Sequence, residues 1–195
     1  MVVLGERIHN SDRELKKQLL LHRLFDFLKP PKSFNEEAYL TEVCAGLNRY
    51  DTVLIVGRFQ PLHYGHMLLM KLAARISSKI IIGIGSANKL DKDNPFPVGE
   101  REKWLRQQLN RNGLNEDKVK IVRLDDCGND ERWGRETLSL TGRVDAVIGN
   151  NEHVNGIFRQ RGIKVVTTPF FVRGIYKGQY CREDLDGKGL LPQIV

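Results

Sequence analysis

From residue 51 onward, short runs of β-branched and apolar residues alternate with stretches of helical periodicity, and few folds accept that rhythm. The runs fall at 53 to 56, 80 to 84, 119 to 124, 146 to 148 and 164 to 167, with helical candidates near 65 to 76, 98 to 111, 132 to 141 and 151 to 161. Strands separated by helix-length segments cannot pair through tight hairpins, so they join one parallel sheet by crossover helices. Near-continuous apolar runs such as Ile80-Ile81-Ile82 suit strands covered on both faces. The expected fold class is α/β, a doubly wound five-stranded parallel sheet of Rossmann-like type. Ligands of such sheets sit at the carboxyl ends of the strands, where the strand order reverses. The loop after the first strand, residues 57 to 66, is therefore where chemistry is expected.

Residues 1 to 50 follow a different pattern. Between 11 and 29, Leu20, Leu21, Leu24, Phe27 and Leu28 share one helical face, and Pro30-Pro31 stops the helix. A second helix is expected to start at Ser33-Phe34-Asn35-Glu36, a capping-box pattern, with Leu40, Val43 and Leu47 as its buried stripe. A two-helix hairpin cannot bury both stripes by itself, so it should pack on the main domain or on another subunit. We divide the chain into an N-terminal helical hairpin, 1 to 50, and a main domain, 51 to 195.

The chain has 195 residues, 41% of them hydrophobic, enough for a buried core. It carries no apolar run of membrane-spanning length and does not open like a signal peptide, so a cytoplasmic location is expected. Cys44, Cys127 and Cys181 are odd in number and widely spaced, which fits reduced structural thiols better than a zinc or redox motif. The formal charge of +7 points to an anionic partner without choosing one. Its Lys and Arg residues are dispersed and lack interleaved aromatics, so neither nucleic acid nor a membrane is the expected partner.

The loop reads Gly57-Arg58-Phe59-Gln60-Pro61-Leu62-His63-Tyr64-Gly65-His66. Gly57 lets the backbone approach a ligand, Pro61 stiffens the turn, and Gly65 opens the following helix. His63 and His66 are three apart, so both rings can face one anion at the helix start. The helix dipole disfavours imidazolium there, a bound triphosphate favours it, and the larger ligand charge should win. On residues alone this is a polyphosphate-binding loop, against the plainer reading of a surface histidine pair on a capped helix.

His63-Tyr64-Gly65-His66 resembles the His-x-Gly-His motif of the nucleotidyltransferase superfamily, and the preceding Gly-Arg-Phe-Gln-Pro resembles the archaeal-type nicotinamide-nucleotide adenylyltransferases. The likeness continues in order through 52 to 182. Gly83-Ile84-Gly85-Ser86-Ala87 is similar to the family's loop after the second strand, and Asn94-Pro95-Phe96 with Gly99-Glu100-Arg101 to its mononucleotide-binding segment. Trp133 matches the tryptophan that stacks on nicotinamide, Asp126 a preceding acidic residue, and Gly149-Asn150 the segment after the fourth strand. Where the family carries Ser-Gly-Thr-x-x-Arg, this chain has Lys177-Gly178-Gln179-Tyr180-Cys181-Arg182, keeping the glycine and arginine and exchanging two hydroxyls for a lysine and a glutamine.

The resemblance implies transfer of an adenylyl group from ATP to nicotinamide mononucleotide, giving NAD and pyrophosphate, with Mg²⁺ accompanying ATP and no metal site of protein ligands. It implies His63, His66 and Arg182 as the catalytic set. Gly57, Arg58, Phe59, Gln60, Gly65, Gly149, Asn150, Lys177 and Gly178 would bind ATP. Ser86, Asn94, Phe96, Arg101, Asp126 and Trp133 would bind the mononucleotide. A homo-oligomer is expected because family members commonly assemble. Two other readings stand beside it: cytidylyl or adenylyl transfer to another phosphorylated acceptor, and a nucleotide-binding module that has lost turnover.

Overall fold

The computed structural model describes residues 2–114, 116–169 and 177–192, with side chains from Arg13 onward. Helices α1 (Val2–Asp26) and α2 (Glu36–Ala45) precede a main unit that runs β1 (Tyr50–Gly57), α3 (Tyr64–Ile76), β2 (Ser77–Ile84), α4 (Val98–Arg111), β3 (Val119–Arg123), α5 (Asp130–Thr141), β4 (Ala146–Ile148), α6 (Glu152–Arg159), β5 (Lys164–Val166) and α7 (Gly178–Gly187). The five strands are all parallel and ordered β3-β2-β1-β4-β5. The order reverses at β1, the strand that feeds the histidine loop.

The inner strands β1, β2 and β4 bury both faces, as their apolar runs require, while the edge strands β3 and β5 are partly exposed. Val53, Ile55, Ile80, Ile82 and Ile84 face one layer, shared with Met67, Met70 and Leu72 of α3 and Leu105 and Leu109 of α4. Leu54, Ile81 and Val147 face the other, under Phe158 of α6 with Trp133 and Leu138 of α5. Full burial of one such aliphatic side chain stabilises by roughly 1.5–3 kcal/mol, so these layers hold the strand ends in register.

The hairpin packs on the main unit. Leu40 is buried in the first layer, with Leu28, Phe34, Tyr39, Val43 and Leu47 against it. A third cluster joins the first and last helices: Leu24 of α1 and Leu185 of α7 close over Phe96, with Leu20, Phe27 and Trp104 at the edge. Arg23 of α1 donates from Nε and Nη2 to the Asp184 carboxylate at 2.7 and 2.8 Å, which holds that carboxyl at about 2.

Two local expectations are corrected. Helix α1 reaches well before residue 11 and ends at Asp26 rather than at the prolines, because the chain tightens there into Leu28 N–Phe25 O and Lys29 N–Asp26 O bonds. The α2 cap is Asn35, whose side chain accepts from the Ala38 amide, while Ser33 lies at φ +64° in the turn before it. Residues 178 to 182, expected to bind phosphate, form the first turn of α7. The tail beyond 192 lies outside the described residues.

Candidate active site

Val56, near the end of β1, is shared by two clefts, and Asn151, the cap of α6, lies in both. They open on opposite sides of the first strand at its carboxyl end.

The first cleft, about 720 Å³, is bounded by His63, Gly65 and His66 on one side and by Gly149, Asn150 and Thr168 on the other. His63 caps α3 in extended backbone, so the following amides point toward the opening. The His63 and His66 rings stack 3.6 Å apart at 25°, and the His66 Nδ1 accepts from the His63 amide at 3.3 Å. That bond leaves the far side of the His66 ring to act on a ligand. Burial drives both rings toward the neutral form: His63 falls to about 4, and His66 is pushed well below its ordinary value by burial and then by its neighbour. Burial is thus the first reason these rings are neutral. Asn150 joins the ends of β4 and β5, donating to the Thr168 carbonyl at 2.8 Å and accepting from its amide at 3.0 Å.

The second cleft, about 430 Å³, takes in Gly57, Arg58, Ser86, Lys89, Asp126 and Trp133. Ser86 sits at φ +49° and its hydroxyl donates to Asp126 Oδ2 at 2.9 Å. Lys89 Nζ meets the same oxygen at 3.0 Å, and Asn88 exchanges two bonds with the Asp126 backbone. Trp133 leans edge-on against Phe158, with centroids 5.9 Å apart, which leaves part of the indole toward the cleft. Gly134 beside it allows α5 to press against α6, since a Cβ there would lie 2.7 Å from Ile157 Cγ2 and 2.6 Å from Arg161 Cζ.

Five of the residues expected at the ligands, Phe59, Gln60, Asn94, Phe96 and Arg101, are buried and line neither cleft. Phe59, at φ +51° and 1% exposed, fills the space under the loop, where its ring packs edge-on against His66 at 4.9 Å. Gln60 donates to Asn94 Oδ1 at 3.1 Å and accepts from the Phe96 amide at 3.0 Å. Asn94 is held in turn by Asp91. Phe96 is fully buried in the cluster between α1 and α7, with Trp104 edge-on at 5.1 Å. Arg101 is also fully buried, donating from Nη1 to the Arg58 and Gly85 carbonyls and from Nη2 to the Ser86 carbonyl at 2.8 to 3.0 Å. Burial and the nearby Arg58 lower it to about 10, still a cation at neutral pH, so one guanidinium ties the loops after β1 and β2 together.

The α7 residues approach the histidine loop from below without lining either cleft. Arg182 Nη1 donates to the Gln60 carbonyl at 2.8 Å, and burial and the charge of Arg58 lower its pKa. A Cβ on Gly178 would sit 3.2 Å from that carbonyl, so glycine keeps α7 close. Lys177 lies over the Tyr180 ring at 5.3 Å. Sequence reasoning passed over Asn151, Thr168, Lys89 and Tyr39, all of which line the clefts. Asn151 before Glu152 was readable as a helix cap; the other three carry no local signal.

Residues 54–183 match the model of a family described as cytidylyltransferase-like. A nicotinamide-nucleotide adenylyltransferase of Methanolobus tindarius is 36% identical over 145 residues, covering 72% of this chain and 82% of its own. The protein of the same name from Thermococcus sibiricus is 33% identical over 147 residues, covering 73% and 79%. In three dimensions the chain is similar to a bifunctional NMN adenylyltransferase/ADP ribose pyrophosphatase from Francisella tularensis, with a TM-score of 0.64 at 23% identity, covering 71% of this chain and 43% of that one.

Proposed function

Because this chain belongs to the cytidylyltransferase-like family, among relatives named nicotinamide-nucleotide adenylyltransferase, we propose that it joins ATP and nicotinamide mononucleotide to give NAD and pyrophosphate. The observation that carries this reading is the pair of clefts meeting at Val56 and Asn151. A two-substrate transfer between nucleotides needs two lobes whose phosphate ends meet.

In this reading ATP occupies the histidine lobe and the mononucleotide the tryptophan lobe. An oxygen of the mononucleotide 5′-phosphate attacks the α-phosphorus of ATP in line, the bond to the β-phosphate breaks, and pyrophosphate leaves. No covalent bond to the protein forms, so catalysis consists of positioning and charge stabilisation. His63 and His66 donate to phosphate oxygens, aided by the α3 amides. Arg58 and Arg182 supply positive charge toward the leaving group, with Lys177 and Gly178 behind Arg182. Gly57, Gly65, Gly149 and Asn150 form the walls against ATP, while Ser86, Asp126 and Trp133 hold the mononucleotide. Phe59, Gln60, Asn94, Phe96 and Arg101 act through these groups rather than on the ligands.

The polar side chains around the histidine lobe include His63, His66, Asn150 and Asn151, and its carboxylate Glu152 is paired with Arg159 at 2.8 Å. Such a lining offers little to hold a hard cation, so Mg²⁺ would be held by the triphosphate and water and would neutralise phosphate charge there. Incubation with ATP, Mg²⁺ and nicotinamide mononucleotide should give NAD and pyrophosphate in equal amounts. His66→Ala should lower turnover by about a hundred- to a thousandfold, as loss of one preorganised donor does. No NAD from the wild-type protein, or unchanged turnover in the variant, would sink the reading.

A further inference from the structure

The family match begins at residue 54, yet α2 reaches both walls of the histidine lobe. On one side, the Glu36 carboxylate accepts from the Tyr64 hydroxyl at 2.5 Å and from Lys71 Nζ at 2.7 and 2.9 Å. Tyr64 stands between the two motif residues His63 and Gly65, and its own amide donates to the Phe27 carbonyl at 2.8 Å. The hairpin therefore holds this residue by backbone and by side chain at once. On the other side, Tyr39 lines the lobe and its hydroxyl donates to the Pro169 carbonyl at 3.3 Å, beside Thr168. Phe34 lies between the two tyrosines, with ring centroids 5.6 Å from Tyr39 and 6.1 Å from Tyr64.

Glu36 and Tyr39 are three apart on one helix and so lie on one face. Burial pulls the Glu36 carboxyl upward, but the bonds from Lys71 and Tyr64 outweigh it and hold the group below the usual carboxylate range, ionised at neutral pH. The first turn of α2, tied through Glu36 to the histidine turn and through Tyr39 to the segment after β5, sets the distance between them.

We propose that α2 is a clasp across the histidine lobe, with Glu36 and Tyr39 as positioning residues for the nucleotide bound there. The proposal rests on the reading that this lobe takes ATP. A ligand spanning the two walls loses contacts if their spacing relaxes, so affinity for ATP depends on a segment outside the matched family region. The mononucleotide lobe shares no residue with α2 and should be indifferent to it.

The test is calorimetric titration of the full chain with a non-hydrolysable ATP analogue and Mg²⁺, which needs no turnover, beside Michaelis constants for both substrates. Glu36→Gln and Tyr39→Phe should each weaken the analogue by roughly three- to tenfold, the scale of one lost hydrogen bond at a partly buried site. Both should raise the KM for ATP and leave that for nicotinamide mononucleotide within about twofold. Glu37→Gln, a change on the same helix that breaks an ion pair to Arg75 of α3 and removes none of the clasp's hydrogen bonds, is the control for general loosening and should bind as wild type does. Unchanged affinity in Glu36→Gln and Tyr39→Phe, equal weakening in Glu37→Gln, or no binding of the analogue to the wild-type protein would overturn the clasp. Wild-type protein that binds the analogue but forms no NAD, with the two variants weakened, would overturn the assigned reaction and leave the clasp standing.

Discussion

His63 and His66 are held neutral by burial, a state that the triphosphate of the proposed function would reverse. The folded pKa of His63, about 4, lies below its ordinary 6.5, so between those values the unfolded chain binds more protons than the folded one. Stability from this group is complete above 6.5 and is lost as pH falls toward 4. The thermal midpoint should therefore drop across that window, and His63→Gln should flatten the slope there while leaving losses below 4, where Asp184 at about 2 begins to titrate. An unchanged slope in the variant would show that His63 is not the titrating group. Phe96 separates burial from ligand contact in another way. Wholly enclosed under α1 and α7, it should cost about 3–5 kcal/mol of stability when replaced by alanine. Guanidinium unfolding reads this directly; a variant of wild-type stability with a raised mononucleotide KM would return Phe96 to the ligand site.

Among the elements, α5 is fixed by what its second turn lacks. Gly134→Ala would drive a methyl into Ile157 and Arg161, push α5 off α6 and move Trp133, the wall of the second cleft. The expected result is a KM for nicotinamide mononucleotide raised by about tenfold or more, with the KM for ATP little changed, since displacing a positioning wall by an ångström weakens contacts sharply; equal effects on both substrates would argue for general unfolding. The five strands and α3 to α6 were legible because β-branched runs and helical stripes both report burial. Helix α7 was not: it buries only Cys181 and Leu185, too few apolar positions to show a period, and it begins at a glycine. The site was legible in its motif but not in its supports. Arg101 and Phe96 lie in a ligand-binding pattern, and nothing in a linear sequence tells a guanidinium bound to backbone carbonyls from one bound to phosphate.

Across the whole molecule, the N-terminal helices join the main unit at two places, α2 against the histidine lobe and α1 against α7. The Arg23–Asp184 pair and the cluster of Leu24, Phe96 and Leu185 link the ends of the described chain through Phe96 and Gln60 to the histidine loop. Among the described residues no helix is long and apolar enough to cross a membrane. The exposed Leu15, Leu19, Leu21 and Phe25 lie on α1, away from the clefts.

The common wall of Val56 and Asn151 bears on release as well as on reaction. NAD is the adenylyl group of ATP joined to nicotinamide mononucleotide, and in the proposed function it would fill both lobes as one ligand, keeping the contacts of each except those to the departed pyrophosphate while losing rigid-body freedom once. A tether this short makes the second lobe's binding intramolecular, so NAD should compete with ATP and with nicotinamide mononucleotide alike, and its departure should govern the steady state. Initial-rate inhibition patterns test this: competitive slopes against both substrates are expected, whereas a pattern competitive against only one would mean that NAD leaves one lobe empty.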